Sequence, residues 1–289
     1  MIKKSLVSAL VLCSMALSSA SVMASSTPNP HAGLGMDPHA GLGMDPHAGL
    51  GNAADVFLPS APASAPEFNF EQALQQAKDG VSSAQFALAE AYATGHGVKQ
   101  NWKEALHWYD EAIKQGNTMA MNNLAELYFT GVGVPEDKIK AFELNKKAAE
   151  LGDVYAQFNL SNSYLEGIGT KQSYAEAFTW ALKAAEKGLL DAQVIVGYFY
   201  LNGIGTKPNE KEAYVWYKKA AVRGDVESEF VLAHLLKDGI GVEANKTEAR
   251  DWFGKACDGG VKEACDLAEA LKKELASALP PLKDDKKAK

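Results

Sequence analysis

From residue 80 to residue 260, small and apolar side chains recur at helical spacing in short blocks that glycine interrupts at regular intervals. In residues 84–94, Ala84, Leu88 and Tyr92 fall four apart, and the same trio returns as Ala120, Leu124 and Tyr128 and again as Ala156, Leu160 and Tyr164. Steps of four keep side chains on one face of a helix, so each block predicts an amphipathic helix. The block that follows carries Ala105 and Ala112, repeated as Ala141 and Ala148, Ala177 and Ala184, Ala213 and Ala220, and Ala249 and Ala256. Small residues there let neighbouring helices approach closely. Between them stand Trp108, Tyr109, Trp180, Trp216, Tyr217, Trp252 and Phe253, which are read as core filling.

The ends of these blocks are marked as well. Each second block opens at Asn101, Asp137, Ser173, Asn209 or Asn245, side chains that accept a hydrogen bond from an unpaired N–H of a first helical turn. Three residues on stand Glu104, Glu176, Glu212 and Glu248, with Lys140 the exception, in the position of an approximate capping box. Each block then closes on a glycine able to take the left-handed conformation: Gly116, Gly152, Gly188, Gly224 and Gly260, in phase with Gly80.

These marks share a period of 36 residues. A second phase carries a Gly-x-Gly pair at Gly95/Gly97, Gly131/Gly133, Gly167/Gly169, Gly203/Gly205 and Gly239/Gly241. The two phases hold 16 of the 19 glycines after residue 66, so glycine here is punctuation, twice per period, and implies two helices per unit. One helical pair cannot bury its own apolar face, whereas five stacked pairs share a continuous core. The expected fold is all-α, an α-α superhelical solenoid over residues 67–279. Its repeats are 81–116, 117–152, 153–188, 189–224 and 225–260, with a lone second helix at residues 70–79 and an extended first helix at 261–279 as caps. Pro280 and Pro281 stop the last helix, and residues 280–289 read as a charged, solvated tail.

The N-terminal quarter has a different character. Lys3 and Lys4 precede an apolar run from Leu6 to Leu17, and small residues lead to the cleavage-like triplet Val22, Met23 and Ala24. Residues 1–24 are therefore expected to be a cleaved signal peptide, the run being shorter than the roughly 20 residues a spanning helix needs. Cys13 does not suggest a lipid anchor, because Leu12 before it is too large for a lipobox. Export to the periplasm or beyond follows, with no integral membrane segment after cleavage. Residues 25–66 hold seven of the eleven prolines and six glycines, a composition that cannot offset its ordering entropy, and are read as a disordered linker. Within it, Pro30 opens an octapeptide, PHAGLGMD, which recurs from Pro38 and, truncated, from Pro46. His31, Met36, His39, Met44 and His47 there offer imidazole and thioether donors of the kind that suits copper in an oxidising compartment. Tandem duplication of a spacer accounts for the same pattern without metal.

Composition narrows the function. The chain carries 29 basic and 36 acidic side chains, and loss of Lys3 and Lys4 with the signal peptide leaves 27 against 36, which disfavours avid binding to nucleic acid or to an anionic bilayer. Three cysteines make no disulfide framework, and C-x-x-C and H-E-x-x-H do not occur. No serine is followed three residues later by lysine, and S-D-N and K-T-G are missing, so serine-type β-lactam chemistry has no visible nucleophile. His96, His107 and His234 have no Ser or Cys partner in a recognisable motif, and the Gly-x-Gly pairs lack the lysine of a phosphate loop. No catalytic residue and no cofactor are expected.

The pattern A-x-x-x-L-A-x-x-Y-x-x-G-x-G-V, a short loop, then A-x-x-W-Y-x-K-A-A-x-x-G resembles the Sel1-like repeat, a relative of the tetratricopeptide repeat. Ala84, Leu88, Ala89, Tyr92, Gly95, Gly97, Val98, Ala105, Trp108, Tyr109, Ala112 and Gly116 carry it in the first unit. Asn145 in place of an aromatic, Ser228 in place of the first alanine and Leu236 in place of tyrosine are local departures. The resemblance implies a non-catalytic scaffold that binds a protein or peptide in the cell envelope. If the helix geometry follows that family, first-helix positions line a concave groove: one row is Phe86, Asn122, Phe158, Val194 and Phe230, and a second is Glu90, Glu126, Asn162, Tyr198 and His234. Exposed phenylalanines beside carboxylates would suit a peptide with apolar anchors and basic residues, whereas the other reading of the same row has Phe86, Phe158 and Phe230 in contact with neighbouring helices. Residues 255–265 further resemble a cysteine-rich secreted branch, in which Cys257 and Cys265 would bridge adjacent helices. Members of that branch have been described as β-lactamase-like hydrolases, which is the enzymatic alternative.

Overall fold

The computed structural model describes residues 68–277, and among them every regular element is an α-helix. They form two compact units, divided between residues 136 and 137, inside the second repeat.

In the first unit, α1 (Phe70–Lys78) is the lone second helix expected as a cap. It is followed by α2 (Ser82–Thr94), α3 (Trp102–Lys114) and α4 (Thr118–Thr130). The second unit contains α5 (Lys138–Glu150), α6 (Val154–Glu166), α7 (Tyr174–Glu186), α8 (Leu190–Asn202), α9 (Glu210–Val222), α10 (Val226–Asp238) and α11 (Lys246–Asp258), and it ends with α12 (Lys262–Ser277). Within each unit every helix packs on its sequence neighbour, the antiparallel pairing that short connections impose. The helices of the five repeats are 13 residues long, and α12, at 16, is the extended cap.

The helices begin where the sequence indicates. The side-chain oxygens of Asn101, Asp137, Ser173, Asn209 and Asn245 accept the N–H of Glu104, Lys140, Glu176, Glu212 and Glu248 respectively, at 3.0 to 3.4 Å. Four further caps lie beyond the sequence expectation: Asn69, Asn117, Asp153 and Asp225 cap the N-termini of α1, α4, α6 and α10 in the same way. Each second helix is followed by its phase glycine at positive φ. The Gly-x-Gly pair has a further task at Gly205, where φ is +69° and a Cβ would land on the Tyr174 carbonyl oxygen. Only glycine lets that loop lie against the first turn of the preceding second helix.

The alanine columns explain how the pairs close. Ala105, Ala141, Ala177, Ala213 and Ala249 are buried, and beside them Tyr109, Tyr217 and Phe253 are among the most deeply enclosed side chains. Burial of such a ring contributes about 1.5–3 kcal/mol. Tyr217 packs against Gly197 of α8, where a Cβ would come within 3.1 Å of the ring. Polar bonds tie successive helices: Gln85, Gln157 and Gln193 each donate from Nε2 to a carbonyl in the last turn of the helix before, those of Ala77, Ala149 and Ala185. In the second unit Lys187 Nζ donates to the Gly152 carbonyl and Arg223 Nη1 to that of Gly188, both at 2.6 Å, joining one inter-repeat turn to the next.

Candidate interaction surface

The row expected to expose three phenylalanines does not do so. Phe86, Phe158 and Phe230 are 3, 5 and 5% exposed. Phe86 lies against Tyr109, Phe158 belongs to the core around Tyr198 and Phe199, and Phe230 packs edge-on against Phe253 and His234. The physical reason is that a first helix has neighbours on both sides. In α8, Ala192, Val196 and Phe199 share one face and Leu201 lies on the opposite one, and all four are buried. Asn122 and Val194, the other members of the row, are half-buried.

The second row is a polar strip only partly open to solvent. In the first unit Glu90 and Glu126 are half-buried. Glu90 accepts hydrogen bonds from the Tyr109 hydroxyl and from Asn123 Nδ2, the latter at 2.9 Å. Burial raises its carboxyl above the ordinary range, and the Asn123 bond offsets part of the rise. In the second unit Asn162 and Tyr198 are buried, whereas His234 is half-buried with its imidazole edge-on to both Phe230 and Phe253. Burial among these rings, with Lys237 nearby, lowers the His234 pKa to about 4, Asp238 acting weakly in the other direction. The imidazole is neutral at physiological pH.

The second helices carry a different feature, at aromatic positions whose sequence pattern indicates only core. In α7, α9 and α11, Lys183, Lys219 and Lys255 each hold Nζ 3.7 Å from the ring centroid of Trp180, Trp216 and Trp252. The spacing is one helical turn, and the repeat of 36 residues sets the cations in register.

Cys257 and Cys265 form a disulfide across the last inter-repeat turn, with a Cα–Cα distance of 4.8 Å, which joins α11 to α12. Among the described residues no group of three or more His, Cys, Asp or Glu side chains is placed to hold a metal ion. No described helix is long and apolar enough to cross a membrane. The expected signal peptide, the expected linker with its His31, Met36, His39, Met44 and His47 tract, and the expected tail lie outside the described residues.

A family model for the Sel1 repeat matches residues 82–117, 118–153, 154–189, 190–225 and 226–261, one residue later in each unit than the frame drawn from the glycines. No curated protein matches the chain. Among solved structures, it is similar to a protein of uropathogenic Escherichia coli described as a protective antigen displaying an SLR fold. The two are 29% identical over 74% of this chain and 54% of that one, with a TM-score of 0.54, so this chain spans about half that protein's length. A Sel1 repeat protein from Oxalobacter formigenes is 28% identical over 66% of this chain and 86% of that one, with a TM-score of 0.59.

Proposed function

The chain belongs to the Sel1 repeat family, and from that premise we propose that it is an exported scaffold of the bacterial cell envelope that holds a protein or peptide partner. Sel1 repeat proteins are generally protein–protein interaction scaffolds and are typically non-catalytic.

One observation carries the reading to this chain: its repeats agree inside and differ outside. The column of Ala105, Ala141, Ala177, Ala213 and Ala249 is alanine throughout and buried throughout. The column of Ser83, Met119, Tyr155, Asp191 and Glu227, exposed in every repeat, holds five different residues. A fixed frame that presents different side chains at regular intervals is how a solenoid builds a recognition surface. Partner contacts along the first-helix rows would fall to their half-buried members, Glu90, Asn122 and Glu126 in the first unit and Val194 and His234 in the second, and not to the phenylalanines. Export is supported by the charged, apolar and small-residue succession of residues 1–24.

The test is affinity capture of the tagged chain from envelope fractions, beside a Glu126→Lys, Val194→Glu variant checked for unchanged helicity. The expected result is a discrete partner held by the parent and weakened in the variant. Absence of any partner, or hydrolysis of a β-lactam by the purified chain, would contradict the reading.

A further inference from the structure

Lining up the five second helices at the period of 36 shows two columns that are apolar in α9 alone. The position of Val215 is His107, Glu143, Thr179 and Asp251 in the other repeats, and that of Val222 is Lys114, Glu150, Glu186 and Asp258. Both columns are polar everywhere except here. Neither valine serves the core: Val215 is 40% and Val222 66% exposed. Two β-branched residues on the solvent face of a helix lower its propensity and leave apolar surface in water, and among the described residues nothing covers that surface fully.

The valines are two turns apart on one face, about 10 Å along the helix axis. They share a shallow concavity of about 460 Å³ with Gln193, Tyr214, Lys218, Lys219 and Arg223. Its three cations are held in place. Lys218 Nζ donates to the Tyr214 hydroxyl at 3.0 Å, Lys219 sits over Trp216, and Arg223 Nη1 donates to the Gly188 carbonyl and, at 3.2 Å, to Gln193 Oε1. Cations fixed in advance lose little entropy when an anion arrives. The lining contains no carboxylate; the nearest one to Lys218 is Glu248, 3.9 Å away at the margin. An apolar pair flanked by ordered positive charge, on a chain of net charge −7, is complementary to an acidic amphipathic segment.

We propose that the exposed face of α9 docks an acidic amphipathic helix of a partner protein. Apolar side chains two turns apart on that helix seat on Val215 and Val222, and its flanking carboxylates meet Lys218, Lys219 and Arg223. This rests on the scaffold reading and assigns it a surface, on the second helices, distinct from the first-helix rows.

The test uses the full chain and a fluorescent helical peptide with leucines two turns apart flanked by glutamates, read by anisotropy. The variants are Val215→Glu and Val222→Glu, which install side chains already carried by other repeats at Glu143 and Glu186 and so preserve the fold, together with Lys218→Glu. Each is expected to weaken binding about tenfold or more, as is raised salt, and a peptide with lysine in place of glutamate should not bind. Equal binding by parent and variants, or by the lysine peptide, would overturn the proposal. So would self-association of the parent, or attachment to phosphatidylglycerol vesicles, that the valine substitutions abolish. The native partner supplies the separating control. A partner retained by the Val222→Glu variant leaves the scaffold standing and removes this surface, and no partner at all removes the scaffold while the peptide still judges the surface.

Discussion

At the scale of single residues, burial decides what each group can do, and two positions show how. His234 is held neutral by its aromatic surroundings, with a folded pKa near 4 against an ordinary value of 6.5. Between those values the unfolded chain binds a proton that the folded chain does not, so the stabilising contribution present above pH 6.5 is lost as pH falls towards 4. A His234→Phe variant should therefore show a shallower loss of stability over that window, measured by urea unfolding at a series of pH values. Gly197 poses a contest between two effects. Alanine there would gain about 1 kcal/mol of helix propensity, yet its Cβ would stand 3.1 Å from the ring of Tyr217, which is enclosed and cannot yield. Overpacking of a tight core costs about 1–3 kcal/mol. Gly197→Ala should come out destabilised by about 1 kcal/mol, visible as a lower urea midpoint. The sequence marks Gly197 only as a glycine outside the two phases, because the ring that fills its place lies on the neighbouring helix, twenty residues away.

At the scale of the helix, the sequence is close to a full description. Asn101, Asp137, Ser173, Asn209 and Asn245 sit at the caps they were expected to occupy, since a cap is a local arrangement of a side chain and the next three N–H groups. The caps of the first helices are not legible as a set, because Val81 and Leu189 occupy the column of Asn117, Asp153 and Asp225 without bonding. The link between α11 and α12 is also local: the cysteines are eight residues apart across one turn. Closing so short a ring stabilises by about 2.5 kcal/mol on loop entropy. Since α12 has a neighbour on one side only among the described residues, reduction should act there first. Hydrogen exchange under reducing conditions should show faster exchange of α12 amides, with α6 to α9 unchanged; uniform acceleration would mean that the bridge supports the whole unit.

At the scale of the molecule, periodicity gave the repeat but not the surface. The error over Phe86, Phe158 and Phe230 has a simple origin: an apolar residue at a fixed repeat position is equally consistent with a groove and with a neighbouring helix, and in these pairs the neighbour is there. Val215 and Val222 are the converse case: they look like ordinary helix residues until their columns are compared across repeats. Under the proposed function, variation within exposed columns, more than apolarity within a helix, marks where a partner would be met. The exposed columns are therefore the place for the measurement that most directly tests the proposed role as a scaffold. A photo-reactive amino acid is placed in turn at Tyr155, Asp191, Val215 and Glu227, all exposed, and the cells are irradiated with the protein at native abundance. The account predicts a discrete adduct with another protein, reproducible from at least one of these positions, its crosslinked segment identified by mass spectrometry. No heterologous adduct from any exposed position would contradict it.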